Sequence, residues 1–218
     1  MKSRYCTLAA ALALAVALTL CAASCAKVSP PATITSEATF AAAPFVNPSQ
    51  SSEVPAGMLS PESGSVDGAV LAEMDEALAS SLSQLTNKIF LPPGRVKECL
   101  AKTQRDTSET RGSVRQYWSA VGKCAKADYI LVPQAVLYRE RVGSPGGADR
   151  PAKVILDLYL IDVKTGGLYR HFHYDEEQQA LTDNILEIRK FMDRGGKWVT
   201  AMDLAREAIR KGVKEMGL

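Results

Sequence analysis

The chain has 218 residues, of which 46% are hydrophobic, 23% charged and 6% aromatic, the composition of a globular protein. Its formal charge of +2 falls to about zero once Lys2 and Arg4 are set aside, since they are the basic residues of the first 24 positions. No strongly basic field remains to argue for nucleic acid or another polyanion as a partner.

Lys2 and Arg4 make a short positive region, and residues 6–20 contain only Cys, Thr, Leu, Ala and Val, which is the anatomy of a secretory signal. The apolar run at 8–20 is shorter than the roughly 20 residues of a spanning helix, so removal is expected rather than retention. Ala22-Ala23-Ser24 then places small residues before Cys25, the pattern cut by lipoprotein signal peptidase; Cys21 is the poorer acceptor because bulky Leu20 precedes it. The expected organisation is a signal peptide at 1–24, a lipidated Cys25 with a Ser/Pro/Ala tether to residue 36, and one domain over 37–218. A diacylglyceryl thioether plus an amide-linked acyl chain, such as palmitate, on Cys25 would hold the protein to a lipid bilayer. Ordinary signal cleavage releasing a soluble protein is the alternative. Ala26, not Asp, follows the cysteine, and by resemblance to sorted lipoproteins of Gram-negative bacteria this implies the periplasmic face of the outer membrane.

Cys6 and Cys21 leave with the signal and Cys25 is consumed by lipid, so Cys99 and Cys124 remain. In an oxidising compartment they are expected to form one structural disulfide, with two buried free thiols as the alternative. Their spacing is not that of a redox C-x-x-C pair.

A strand is expected over 37–46, then a Pro/Ser/Gly-rich loop over 47–65, long enough to be a candidate contact surface. Asp67 caps an amphipathic helix carrying Val70, Leu71, Met74, Leu78, Leu82 and Leu85 to about Asn87. A short strand at 88–91 leads through Pro92-Pro93-Gly94 into a helical turn with Val96, Cys99 and Leu100, and a second helix follows at 114–126. The strand at 128–141 is apolar almost throughout, as when both faces are covered, and Pro133 in it predicts a sheet edge or a bulge. In 152–163 Val154, Leu156, Leu158 and Leu160 alternate with Asp157 and Tyr159; Lys164-Thr165-Gly166-Gly167 turns the chain into a partner strand at 168–174. A third helix is expected at 182–194, closed by Gly195-Gly196, and a last one after Thr200 with Asp203 completing a capping box. The fold class is α+β, a single mixed, mostly antiparallel sheet with helices packed on it in βαβαβββαα order.

His171 and His173, the two histidines, share one strand face with Asp175, a face read as solvent-exposed. No metal ligand and no cofactor is therefore expected. Neither a Gly-x-Ser-x-Gly elbow nor a Walker loop nor a Gly-x-Gly-x-x-Gly turn occurs, and no catalytic residue is assigned. Trp118 and Trp198 are core or lid residues or interface anchors; Pro133 and Trp198 are the candidate partner contacts.

Ala43-Pro44-Phe45, the helix after it, ADYILVPQAVLY at 127–138 and VILDLYLIDVKTGGLY at 154–169 carry a resemblance across residues 37–175. They resemble the periplasmic lipoproteins related to the curli secretion lipoprotein, the lipoprotein activator of penicillin-binding proteins, and the amino-terminal domain of the Tol translocation protein. That resemblance implies a strand-helix sandwich and brings no catalytic residue. The group often has Gly where Pro133 stands, and the pore hairpins of the curli protein have no counterpart here. The expectation is a non-enzymatic, membrane-anchored envelope lipoprotein that binds another, unidentified envelope protein. Alternatives are a subunit of an outer-membrane export or assembly complex, which could self-associate as a homo-oligomer, and an envelope hydrolase.

Overall fold

The strands and helices of a computed structural model covering residues 34–35, 37–103, 113–144, 147–178 and 199–218 form the second of two units into which the chain divides, Thr35–Leu218. Strands β1 (Thr39–Ala42), β2 (Ile89–Phe90), β3 (Tyr129–Arg139), β6 (Lys153–Asp162) and β7 (Leu168–Glu177) make one sheet in the order β2-β1-β3-β6-β7. The antiparallel half, β3-β6-β7, holds the long strands. β1 runs parallel to both β2 and β3. A separate two-stranded ribbon, β4 (Val142–Ser144) with β5 (Gly147–Arg150), grows from the connection between β3 and β6. The turn between β6 and β7 is built as its sequence demands: Asp162 Oδ1 accepts the Thr165 N–H at 2.9 Å, and Gly166 takes a φ of +70°.

Helix α1 (Gly68–Leu85) starts where expected, with the Asp67 carboxylate accepting the Ala69 N–H at 2.7 Å. Helix α2 (Pro93–Lys102) is a full ten-residue helix rather than one turn, and Pro93 suits its first position because that N–H would have no partner. Helix α3 (Ser113–Ala125) and helix α4 (Ala201–Glu215) complete the described set, and the Thr200–Asp203 capping box closes reciprocally at 3.1 Å in each direction. The helix expected at 182–194 lies outside the described residues.

The helices sandwich the sheet. On one side α2 and α3 bring Val96, Cys99, Trp118 and Val121 onto Ile130, Val132, Tyr159 and Ile161. On the other, α4 comes so close that a Cβ on Gly212 would stand 2.5 Å from Leu158 Cδ1. This double cover buries both of the faces between which the side chains of β6 alternate. Every residue from Lys153 to Ile161 is buried, Asp157 and Tyr159 included.

The expected edge or bulge at Pro133 is also corrected. Pro133 is buried in the strand at the middle of the sheet, paired with Leu158 on β6. Its carbonyl accepts the Val46 N–H at 3.1 Å, so its nitrogen faces residues 43–46, beyond the end of β1 at Ala42. The missing donor falls where the ladder to β1 has stopped, and a proline is tolerated without an edge. The irregularity in β3 comes later, between Ala135 and Leu137.

The 47–65 loop is pinned to the sheet by one side chain. Asn47 Nδ2 donates to the carbonyls of Gly64 at 2.9 Å and Ala135 at 2.8 Å, while its Oδ1 accepts the Val66 N–H at 3.1 Å. Both ends of the loop are thereby held to β3. Asn47→Ala is expected to cost about 2 kcal/mol, because three backbone groups lose a half-buried partner. Urea unfolding would measure the loss, and faster hydrogen exchange at Val66 would locate it.

Candidate functional site

Sequence order puts Asp75 and Leu78 on consecutive turns of α1, and the Pro92-Pro93 pair at the mouth of α2. Between these elements and the β1-β2 edge lies a cleft of about 590 Å³, lined chiefly by Leu78, Leu82, Phe90, Leu91 and Pro92. β2 is the last strand of the sheet on this side, and its Ile89 is 54% exposed. Among the described residues no strand pairs with the outer side of β2, and the cleft sets an apolar floor beside it, the two things an extended polypeptide needs for pairing and for side-chain burial.

Asp75 and Lys97 stand at the rim. The Asp75 carboxylate accepts the Phe45 N–H at 2.6 Å and fixes the chain just after β1. Burial pushes its pKa above the ordinary 3.8, against the opposing effects of that hydrogen bond and of Lys97. An acid whose folded pKa is raised stabilises the fold less as pH rises from its unfolded pKa through its folded one. Asp75→Asn keeps an acceptor for Phe45 and removes the charge. Its stability relative to the wild type is therefore expected to rise between pH 3.5 and 7, whereas Asp75→Ala loses about 1 kcal/mol through the orphaned N–H. Thermal melts across that pH range would separate the two effects.

Of the residues singled out from sequence, Cys99 and Cys124 are joined in a disulfide that ties α2 to α3. Pro133 is interior and presents no surface to a partner. Cys25 and Trp198 lie outside the described residues. Trp118 is a core residue, 5% exposed and edge-on to Tyr117.

His171 and His173 do share one face of β7, but Asp175 is not their partner. Asp175 approaches Lys153, which is held by Glu62 at 2.6 Å. The carboxylate between the histidines is Asp157, 14 and 16 residues earlier on β6, whose Oδ1 lies 2.6 Å from His171 Nε2 and 2.8 Å from His173 Nδ1. Sequence spacing along one strand could not find it, because the contact crosses between strands. The register beyond the irregularity at Leu160 and Ile161 sets Asp157 opposite His173 and Tyr159 opposite His171, so a count outward from the Lys164–Gly167 turn, blind to that irregularity, misses the pairing by one position.

No family model matches the sequence, and no curated protein does. Among solved structures, the chain is similar to the PelC dodecamer from Paraburkholderia phytofirmans, at 12% identity over 84% of this chain and 89% of that chain with a TM-score of 0.43. It is similar to LpoB of E. coli at 13% identity over 66% of this chain and 59% of that one, TM-score 0.42. Lipoprotein GNA1162 from Neisseria meningitidis gives 16% identity over 73% of this chain and 95% of that one, TM-score 0.41. Among the described residues no helix is long and apolar enough to cross a membrane.

Proposed function

We propose that the chain is a lipoprotein of the bacterial envelope, anchored through acylated Cys25 at the periplasmic face of the outer membrane, and that it acts by binding another envelope protein rather than by catalysis. The observation that carries the reading is the succession at the start of the sequence: two basic residues, a short apolar run, then Ala22-Ala23-Ser24-Cys25. The Cys99–Cys124 bond is in keeping with an oxidising compartment. The partner is taken to offer an extended apolar segment, which would lie beside β2 with its side chains on Leu82, Phe90 and Leu91.

The anchor is tested by intact mass and membrane fractionation of the wild type beside Cys25→Ala. A triacyl mass and outer-membrane fractionation for the wild type, both lost in the variant, are expected; two soluble, unmodified proteins would overturn the anchor. The partner is tested by a photo-crosslinker at Ile89 in intact cells. A crosslink to another envelope protein that disappears in Phe90→Asp is expected. A product containing two copies of this chain would replace the reading with self-assembly, and no product would count against the cleft.

A further inference from the structure

We propose that Asp157, His171 and His173 form a binding site for a divalent transition-metal ion of the zinc class. The three side chains come from two adjacent strands, and their positions follow from the hairpin. Residues two apart on β7 put both imidazoles on one face, and the antiparallel register brings Asp157 opposite His173 and diagonal to His171. One ligand atom from each of the three lies within 4.8 Å of the others.

The donor set is two imidazole nitrogens and one carboxylate oxygen. Imidazole suits zinc, copper, nickel and iron, whereas calcium and magnesium prefer sites made of oxygen alone. Three protein ligands leave at least one coordination position for water, the pattern of exchangeable rather than closed structural sites.

The geometry needs little adjustment. Both imidazoles point at the same Asp157 oxygen, at 2.6 and 2.8 Å. Zinc bonds of about 2.0–2.2 Å at tetrahedral angles set ligand atoms roughly 3.3 Å apart, so the His171 ring must draw back by about 0.7 Å and the His173 ring by about 0.5 Å, while the two ring nitrogens, within 4.8 Å of each other, settle to the same separation. The proton on each facing nitrogen passes to the other nitrogen of its own ring, leaving two neutral imidazoles and a carboxylate as ligands.

The surroundings favour a bound cation. The Asp157 side chain is 9% exposed and fixed on a central strand, while the His171 and His173 side chains, at 32% and 51%, leave the site open to solvent. His171 is further positioned by stacking on Tyr159, with ring centroids 4.4 Å apart and planes inclined by 8°. Lys153, also on β6 and this face, is engaged by Glu62 and Asp175, and Arg170 turns away to the carbonyl of Met216.

The test is calorimetric titration of the full chain, expressed without a polyhistidine tag and stripped with EDTA, using zinc chloride. The sequence has two histidines, so every imidazole-dependent event must occur at this site. Uptake of one zinc per chain is expected, weakened at least tenfold in His171→Ala, in His173→Ala and in Asp157→Asn. Cobalt should give a visible absorption band in the wild type that these variants lose. The exposed position of His173 lets that variant keep its fold, checked by circular dichroism. Absence of saturable uptake near one equivalent would overturn the proposal, as would uptake unchanged by both histidine substitutions.

Discussion

Gly212→Val is expected to destabilise the fold by about 3 kcal/mol, lowering the melting temperature by roughly 6–12 °C for a domain of this size. Gly212 sits on α4 directly over the sheet, where an added Cβ would meet Leu158 Cδ1 at 2.5 Å and Phe172 Cδ1 at 2.7 Å. Leu158 is fully buried and Phe172 nearly so, which leaves neither ring nor methyl a place to retreat. The helix itself gains from losing glycine, by up to about 1 kcal/mol for alanine, so Gly212→Ala is milder and valine is the decisive substitution. Gly94 supplies the control: a Cβ there has nothing within 4 Å, and Gly94→Ala is expected to hold or slightly raise the melting temperature. Comparable losses at both positions would mean that α4 does not pack on β6 at the distance described.

Removal of the disulfide, by Cys99→Ser with Cys124→Ser, is expected to cost about 3.5 kcal/mol on the chain-entropy model, for a bond spanning 25 positions. Cys99 is buried beside Val96 and Trp118 in the core cluster, while Cys124 is exposed. Urea unfolding of the wild type with and without dithiothreitol should reproduce the difference between wild type and double variant. A shift below 1 kcal/mol in both experiments would mean that packing of α2 and α3 alone holds that layer.

The local signals in the sequence carried far. Asp67 before an apolar stripe marked the start of α1 to the residue, Thr200 with Asp203 marked that of α4, and the Lys-Thr-Gly-Gly turn set the β6-β7 hairpin. Each is decided by neighbours within one or two turns of chain. What escaped depends on residues distant in sequence. Pro133 argues for an edge when a strand is read alone, yet its free side is settled by where β1 ends, some ninety residues earlier. The alternation of β6 separates two faces without saying what covers the second, and it is α3, from earlier in the chain, that roofs Tyr159 and Ile161. The grouping of Asp157 with the histidines required the register, and Asp175, nearer in sequence, is drawn off by Lys153. The apolar cleft arises between three separate segments, and no run of residues announces it.

The parallel placement of β1 has a consequence for the order in which the molecule is completed. β3, β6 and β7 follow one another along the chain and can zip together by short turns and local contacts. β1, though made before them, must wait: 89 residues separate Thr39 from Asp128, the residue whose carboxylate accepts both its N–H and its hydroxyl. Closing so long a loop is slow compared with a hairpin. The first strand to emerge from the ribosome is thus among the last to be seated. Until the C-terminal half arrives, Phe40 and Ala41, both destined for the interior, have β2 beside them, with Phe90 stacked on Phe40, but lack the cover of β3.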